Sequence, residues 1–241
     1  PPPPPAETEG PAVPRPPAPP VTTIISANVG DSRAILSRRR RAVDLTVDHK
    51  PQNPKERQRV EERGGNVVWH GYTDKKGRPI EGSGVYRING NLAVARAVGD
   101  RSERPFVCAD VDVDTFEVVP EEDEFILLAT DGLWDVMTSQ EVVTFVHGIL
   151  RASVGSISNG KSLAKRKTEM TMSDWSSKYS DDRSMVKAAM TTRRRKMARY
   201  VAEEALRRGS MDNICVVIVW LDEAVVQNSG VERRASLAGS S

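Results

Sequence analysis

Four aspartates stand where a chain tends to place its chemistry. Asp31 follows Gly30 at a turn, Asp131 and Gly132 follow the apolar run Phe125–Ala129, Asp135 lies one helical turn later, and Asp212 precedes the apolar run Ile214–Trp220. Carboxylates that converge from several strand ends make a hard-oxygen site suited to magnesium or manganese. An aspartate beside a glycine also caps helices and bonds turns, so for each of these residues taken singly both readings stand.

Other chemistries have less to build with. His49, His70 and His147 fall in no HExxH or HxxxH spacing, which leaves a zinc site without its usual ligands. Cys108 and Cys215 are far apart and outside any CxxC, so neither a disulfide framework nor a zinc ribbon is expected, and a reducing, intracellular setting fits best. There is no GxSxG elbow, P-loop or GxGxxG, so serine-hydrolase, nucleotide-hydrolysing and dinucleotide-binding readings lose their support.

The acids need elements to hold them. Val21–Ala27 and Arg33–Ser37 are rich in β-branched and apolar residues, and with Gly30-Asp31 between them they read as a hairpin. A short strand follows at Ala42–Val47, then a helix capped by Asn53-Pro54 and closed by Gly64-Gly65, then a brief strand at Val67–Trp69. Asn89-Gly90 predicts a hairpin turn within Val85–Val98. Phe125–Ala129 and Ile214–Trp220 read as strands buried on both faces, with helices at Ser139–Leu150 and Met197–Arg207 and a stop at Gly209.

Composition marks what does not belong to this core. Of the 16 prolines in 241 residues, 11 lie in residues 1–20, which predicts an extended, disordered leader and a possible SH3 or WW ligand. Residues 151–199 carry 13 basic and 4 acidic side chains, a net +9 in a chain whose total is +2, and 151–195 reads as a mobile basic insertion. The domain itself is placed at 21–223, followed by a disordered tail at 224–241. The runs Arg38–Arg41 and Arg193–Lys196 are either solvated or dock an acidic partner, an anionic membrane or RNA. With Trp175 and Tyr179 the only obvious stacking residues nearby, no clear nucleic-acid site emerges. Arg233-Arg-Ala-Ser236 matches a short basic pattern that some protein kinases prefer. No apolar run reaches the roughly 18 residues of a membrane span, and Pro1–Pro20 has no signal-peptide core.

Six motifs occur in order: Ala27-Asn-Val-Gly-Asp-Ser-Arg33, Val47-Asp-His-Lys-Pro51, Glu62-Arg-Gly-Gly65, Arg87–Ala97 with Gly99-Asp100, Ala129-Thr-Asp-Gly-Leu-Trp-Asp135, and Arg208-Gly-Ser-Met-Asp-Asn213. Together they closely resemble the metal-dependent protein phosphatases, the PPM or type 2C family of serine/threonine phosphatases. The resemblance implies an α+β fold, a layered sandwich of antiparallel sheets flanked by helices, with a Mg2+ or Mn2+ two-metal centre and phosphoprotein substrates. By the same resemblance Asp131 and Asp212 hold the metal pair, and Asp31 and Asp135 hold an additional, weaker ion. Asn213 and Gly132 read as shaping turns, Asp100 matches a family Gly-Asp and reads as structure in preference to a ligand, and Gly64–Arg87 corresponds to a flap beside the family's active site. Divalent ions raise the acidity of water and neutralise phosphoryl oxygens, which accords with direct hydrolysis of a phosphoester.

The family also carries an early Asp-Gly-His-Gly-type motif and a phosphate-gripping arginine, neither of which precedes Val21. The expectation is therefore a truncated domain with exposed sheet edges, its metal pair only partly provided with carboxylates and its turnover reduced. Two functions follow: a phosphatase, or a pseudophosphatase that binds phosphoproteins or a kinase without hydrolysis. The oligomeric state is left open.

Overall fold

Antiparallel pairing organises the chain around β7, Asp123–Ala129, in the computed structural model, which describes residues 21–151 and 183–221. The Pro-rich leader, the part of the basic insertion at 152–182 with Trp175 and Tyr179, and the tail with its Arg233–Ser236 pattern lie outside the described residues. Strand β1 is Thr23–Asn28, β2 Arg33–Arg38, β3 Arg41–Asp44, β4 Val67–Thr73, β5 Pro79–Ile88, β6 Asp112–Glu117 and β8 Val216–Trp220. Helix α1 is Pro54–Glu62, α2 Asp131–Trp134, α3 Ser139–Arg151 and α4 Arg183–Arg207.

A four-stranded sheet runs β3-β2-β7-β8, while β1 pairs with β6 and β4 with β5 in two-stranded sheets. This corrects the hairpin expected of the first two strands. Both faces of β2 are buried at Ala34, Ile35, Leu36 and Ser37, so it takes a central place between β3 and β7. The half-exposed β1 finds its partner in β6. The turn at Gly30-Asp31 consequently crosses between sheets.

Side chains of alternate parity divide the core into two layers. Ile35, Phe125, Leu127 and Ala129 point to one face, where Val142, Val143 and Val146 of α3 and Met197, Val201 and Ala205 of α4 cover them. Ala34, Leu36 and Leu45 point to the other, against Ile24 of β1 and Phe116 of β6. The result is a layered sandwich flanked by helices, as the resemblance implied. On its second face β7 is not fully buried: Leu128 is 43% exposed, beside the exposed Val217 and Val219 of the edge strand β8. The expectation that both apolar runs are buried on both faces is therefore wrong for β8 and for the outer half of β7.

Local signals account for the helices. Asn53 accepts the amide hydrogen of Lys55 through Oδ1, and Pro54 occupies the first turn of α1. Thr138 and Glu141 exchange hydrogen bonds at the start of α3, a capping box. Helix α4 starts at Arg183, earlier than the Met197 read from the sequence. The Asn89-Gly90 turn forms with positive φ at both residues, but only the single bridge Ile88↔Leu92 follows it, because β5 pairs back to β4 instead. Half of the arginine run is structural, since Arg38 pairs with Asp123 and Arg39 with Glu122.

The layering predicts unequal costs for two adjacent leucines. Leu127→Ala is expected to lower the unfolding free energy by about 2–5 kcal/mol, and Leu128→Ala by under about 1 kcal/mol. Urea midpoints of the two variants check this, and equal losses would contradict the assignment of faces.

Candidate metal centre

Strand register, more than any single contact, brings the acids to one end of the sheet. Arg33 at the start of β2 pairs with Ala129 at the end of β7, and Ala129 pairs with Val216 at the start of β8. The segments that precede β2, follow β7 and precede β8 must therefore emerge at the same edge, and they carry Asp31, Asp131 and Asp212 respectively. Asp131 opens α2, and the amide of Asp135 donates to the Asp131 carbonyl oxygen at 2.8 Å, which puts Asp135 one turn above it.

Three of the four carboxylates face one cation. The Lys50 ammonium lies 2.7 Å from Asp31 Oδ2, 3.8 Å from Asp131 Oδ2 and 3.9 Å from Asp135 Oδ1. Burial works against the charge of Lys50, but its hydrogen bond to Asp31 and the fields of Asp31, Asp135 and Asp131 outweigh this and raise its pKa. Burial also raises the pKa of Asp131, and the neighbouring charges of Asp31, Asp135 and Asp212 add to that rise while Lys50 opposes it. Asp212 stands further out: it is exposed, its Oδ1 accepts the Asn213 amide hydrogen at 2.6 Å, and of the acids acting on Asp131 its influence is the smallest. Asp100 is exposed in a left-handed turn, consistent with a structural place.

The segment 47–51 grips the Asp31 turn residue by residue. The Gly30 amide donates to His49 Nδ1 at 3.0 Å, and the His49 amide donates to the Gly30 carbonyl oxygen at 3.0 Å. Because Nδ1 accepts, the ring proton resides on Nε2, which donates to Asp112 at 3.1 Å. Asp112 is held in turn by Arg96, and Arg96 by the buried Glu56 of α1. Both Asp48 carboxylate oxygens accept from one edge of the Arg33 guanidinium, Nε at 2.8 Å and Nη2 at 2.7 Å, and that guanidinium lies 5.0 Å over Trp134. His49 is thus a packed histidine whose two ring nitrogens tie Asp112 to the Gly30 turn.

On the far side, two loops are pressed together at Gly132. A Cβ there would meet the Asn213 carbonyl oxygen at 2.5 Å, so only glycine permits this approach. Ser210 Oγ donates to the Gly132 carbonyl oxygen at 2.6 Å, and Thr130 Oγ1 donates to that of Asn213 at 3.0 Å. Arg208, just before this loop, ties α4 to α3 through Glu141 at 2.6 Å.

The donor chemistry fits a hard divalent cation, since three carboxylates converge on a centre that already holds a positive charge. Their present arrangement is spread around an ammonium, and among the described residues no three acidic, histidine or cysteine side chains stand in a ligating arrangement. Residue types and spacing single out Asp31, Asp131, Asp135 and Asp212 but not Lys50, His49 and Asp48 as parts of the site. Their one signal was the motif Val47–Pro51, which stands in order among the six motifs.

Comparisons with known proteins bear on the family and the fold. A family profile described as Protein phosphatase 2C matches residues 21–214. "Protein phosphatase 2C 3" of Arabidopsis thaliana is 35% identical over 205 residues, covering 81% of this chain and 42% of the relative. "Probable protein phosphatase 2C 59" of Oryza sativa subsp. japonica is 43% identical over 127 residues, covering 53% of this chain and 35% of the relative. The chain thus spans less than half the length of these curated relatives. Among solved structures, a C. elegans sex determining protein superposes with a TM-score of 0.56 at 24% identity, covering 83% of this chain and 37% of its own. A phosphatase from a pathogenic strain of Toxoplasma gondii gives 0.50 at 25%, covering 81% and 47%.

The Glu141 contacts set a pH dependence. The Thr138 amide, then Arg208 and the Thr138 hydroxyl, hold its pKa at about 2, below the ordinary 4.5. A depressed carboxylate contributes stability above its unfolded pKa and loses it as pH falls through its folded one. The urea midpoint of the parent chain should therefore exceed that of Glu141→Gln at pH 6, with the gap closing between pH 4.5 and 2. A gap that stays constant across this window would contradict the assignment.

Proposed function

The chain belongs to the protein phosphatase 2C family, and from this we propose that it serves the metal-dependent hydrolysis of phosphoserine and phosphothreonine in proteins. The observation that carries the proposal is the meeting of Asp31 with Asp131 and Asp135, from two separate stretches of chain, around a single positive centre. Asp131 and Asp212 are assigned to the core pair of Mg2+ or Mn2+ ions, and Asp31 and Asp135 to an additional, weaker one. When bound, such cations supply positive charge that offsets the phosphoryl oxygens and acidifies water.

The chain's own groups have two tasks in this reading. The carboxylates must stay ionised at close quarters, which demands cationic company. They must also be held rigidly, which the His49 grip on Gly30 and the Gly132–Asn213 approach support. The antiparallel β4–β5 arm carries residues 67–87 of the expected flap Gly64–Arg87, which by the family resemblance borders the substrate. Phosphoprotein substrates are part of the proposal. So is the placing of this domain at residues 21–223.

Release of phosphate from a phosphoserine peptide, with Mn2+ added to or withheld from the purified chain, tests the proposal. Turnover should require Mn2+ and fall at least a hundredfold in Asp131→Asn and Asp212→Asn, with cooperative unfolding retained. Metal-independent turnover, or unchanged turnover in both variants, would overturn it. Peptide binding with no release would instead mark a pseudophosphatase acting as a binding module. Among the described residues, no helix is long and apolar enough to cross a membrane.

A further inference from the structure

Lys50 holds the place where the acids would receive a cation, and because its backbone is anchored on both flanks, any withdrawal falls to its side chain. On one flank, His49 exchanges two hydrogen bonds with Gly30 and accepts the Ala95 amide hydrogen at 2.7 Å through its carbonyl oxygen. On the other, Pro51 is buried, and the Lys50 carbonyl oxygen accepts the Asn53 amide hydrogen at 3.0 Å at the entry to α1. Only the Asp31 contact, at 2.7 Å, is a hydrogen bond; Asp131 and Asp135, at 3.8 and 3.9 Å, are drawn by charge alone.

Charge counting shows what this does. Three ionised carboxylates with one ammonium leave the trio two charges negative, still attractive to a divalent ion but less so than the bare acids. An ammonium and a divalent ion among the same oxygens repel each other strongly at this range. We propose that Lys50 is a built-in counterion of Asp31, Asp131 and Asp135 that competes with the divalent cation for their oxygens, so that it sets the cation concentration at which this trio loads. Lys50 then has two opposed effects: it keeps the acids together in the absence of metal, and it weakens the ion that replaces it. This rests on the reading above that these carboxylates hold divalent cations.

Mn2+ titration of the full chain, following free Mn2+ by electron paramagnetic resonance, separates the possibilities. Lys50→Gln should tighten the weakest class of Mn2+ binding at least tenfold, Lys50→Arg should leave it as in the parent, and Lys50→Gln combined with Asp135→Asn should abolish the gain. Unchanged or weaker binding in Lys50→Gln, or a gain that survives Asp135→Asn, overturns the inference. Parent binding that disappears in Asp131→Asn yet ignores Lys50→Gln overturns this inference alone. Absence of Mn2+ binding in every variant overturns the reading beneath it as well. A second measurement uses the parent chain and needs no variant to fold. Mn2+ should free the amine, so acetylation of Lys50 by acetic anhydride, read by peptide mass spectrometry, should rise severalfold on saturation, and unchanged or reduced labelling overturns the competition.

Discussion

Like charges cannot be held close without a cation among them, and this constraint governs the site. Asp31, Asp131 and Asp135 meet because strand register forces their segments to one sheet edge, and they coexist there because Lys50 stands between them. The surrounding structure serves one side or the other of that balance. The two-layered core fixes β2, β7 and β8 in register, and the segment 47–51 delivers the ammonium while gripping the turn that carries Asp31.

The support behind the acids is itself ionic and largely withdrawn from water. Arg96 is 4% exposed and joins Glu56 of α1 to Asp112 of β6, while His49 transmits this fixture to Gly30. Breaking such a buried pair leaves an uncompensated charge, so the network resists displacement even where it adds little net stability. Rigidity of this kind suits a centre whose oxygens must keep their positions while the cation among them changes.

Much of this was legible from residue types and spacing. The acids at strand ends, the Asn53-Pro54 cap, the helix after Ser139 and the core strand at Phe125–Ala129 were all visible, because each is written locally. Pairing was not. Val21–Ala27 and Arg33–Ser37 look like a hairpin by proximity, but the partner of a strand is settled by which faces must be covered, and β2 is buried on both. An edge strand such as β8 can be as apolar as a central one, so composition could not reveal that Val217 and Val219 stay exposed. Lys50 and His49 were hidden for a similar reason: a lone lysine or histidine carries no periodic signal, and only the tertiary crossing at Gly30 gives them work.

Crystals of the chain soaked in Mn2+ and measured at the manganese absorption edge address the central claim most directly. The account predicts an anomalous peak within ligand distance of Asp131 and of at least one of Asp31, Asp135 and Asp212, with the Lys50 ammonium moved away from its contacts with Asp31 and Asp131. Anomalous density confined to unrelated surface carboxylates, with the Asp31–Lys50 pair undisturbed, would contradict it.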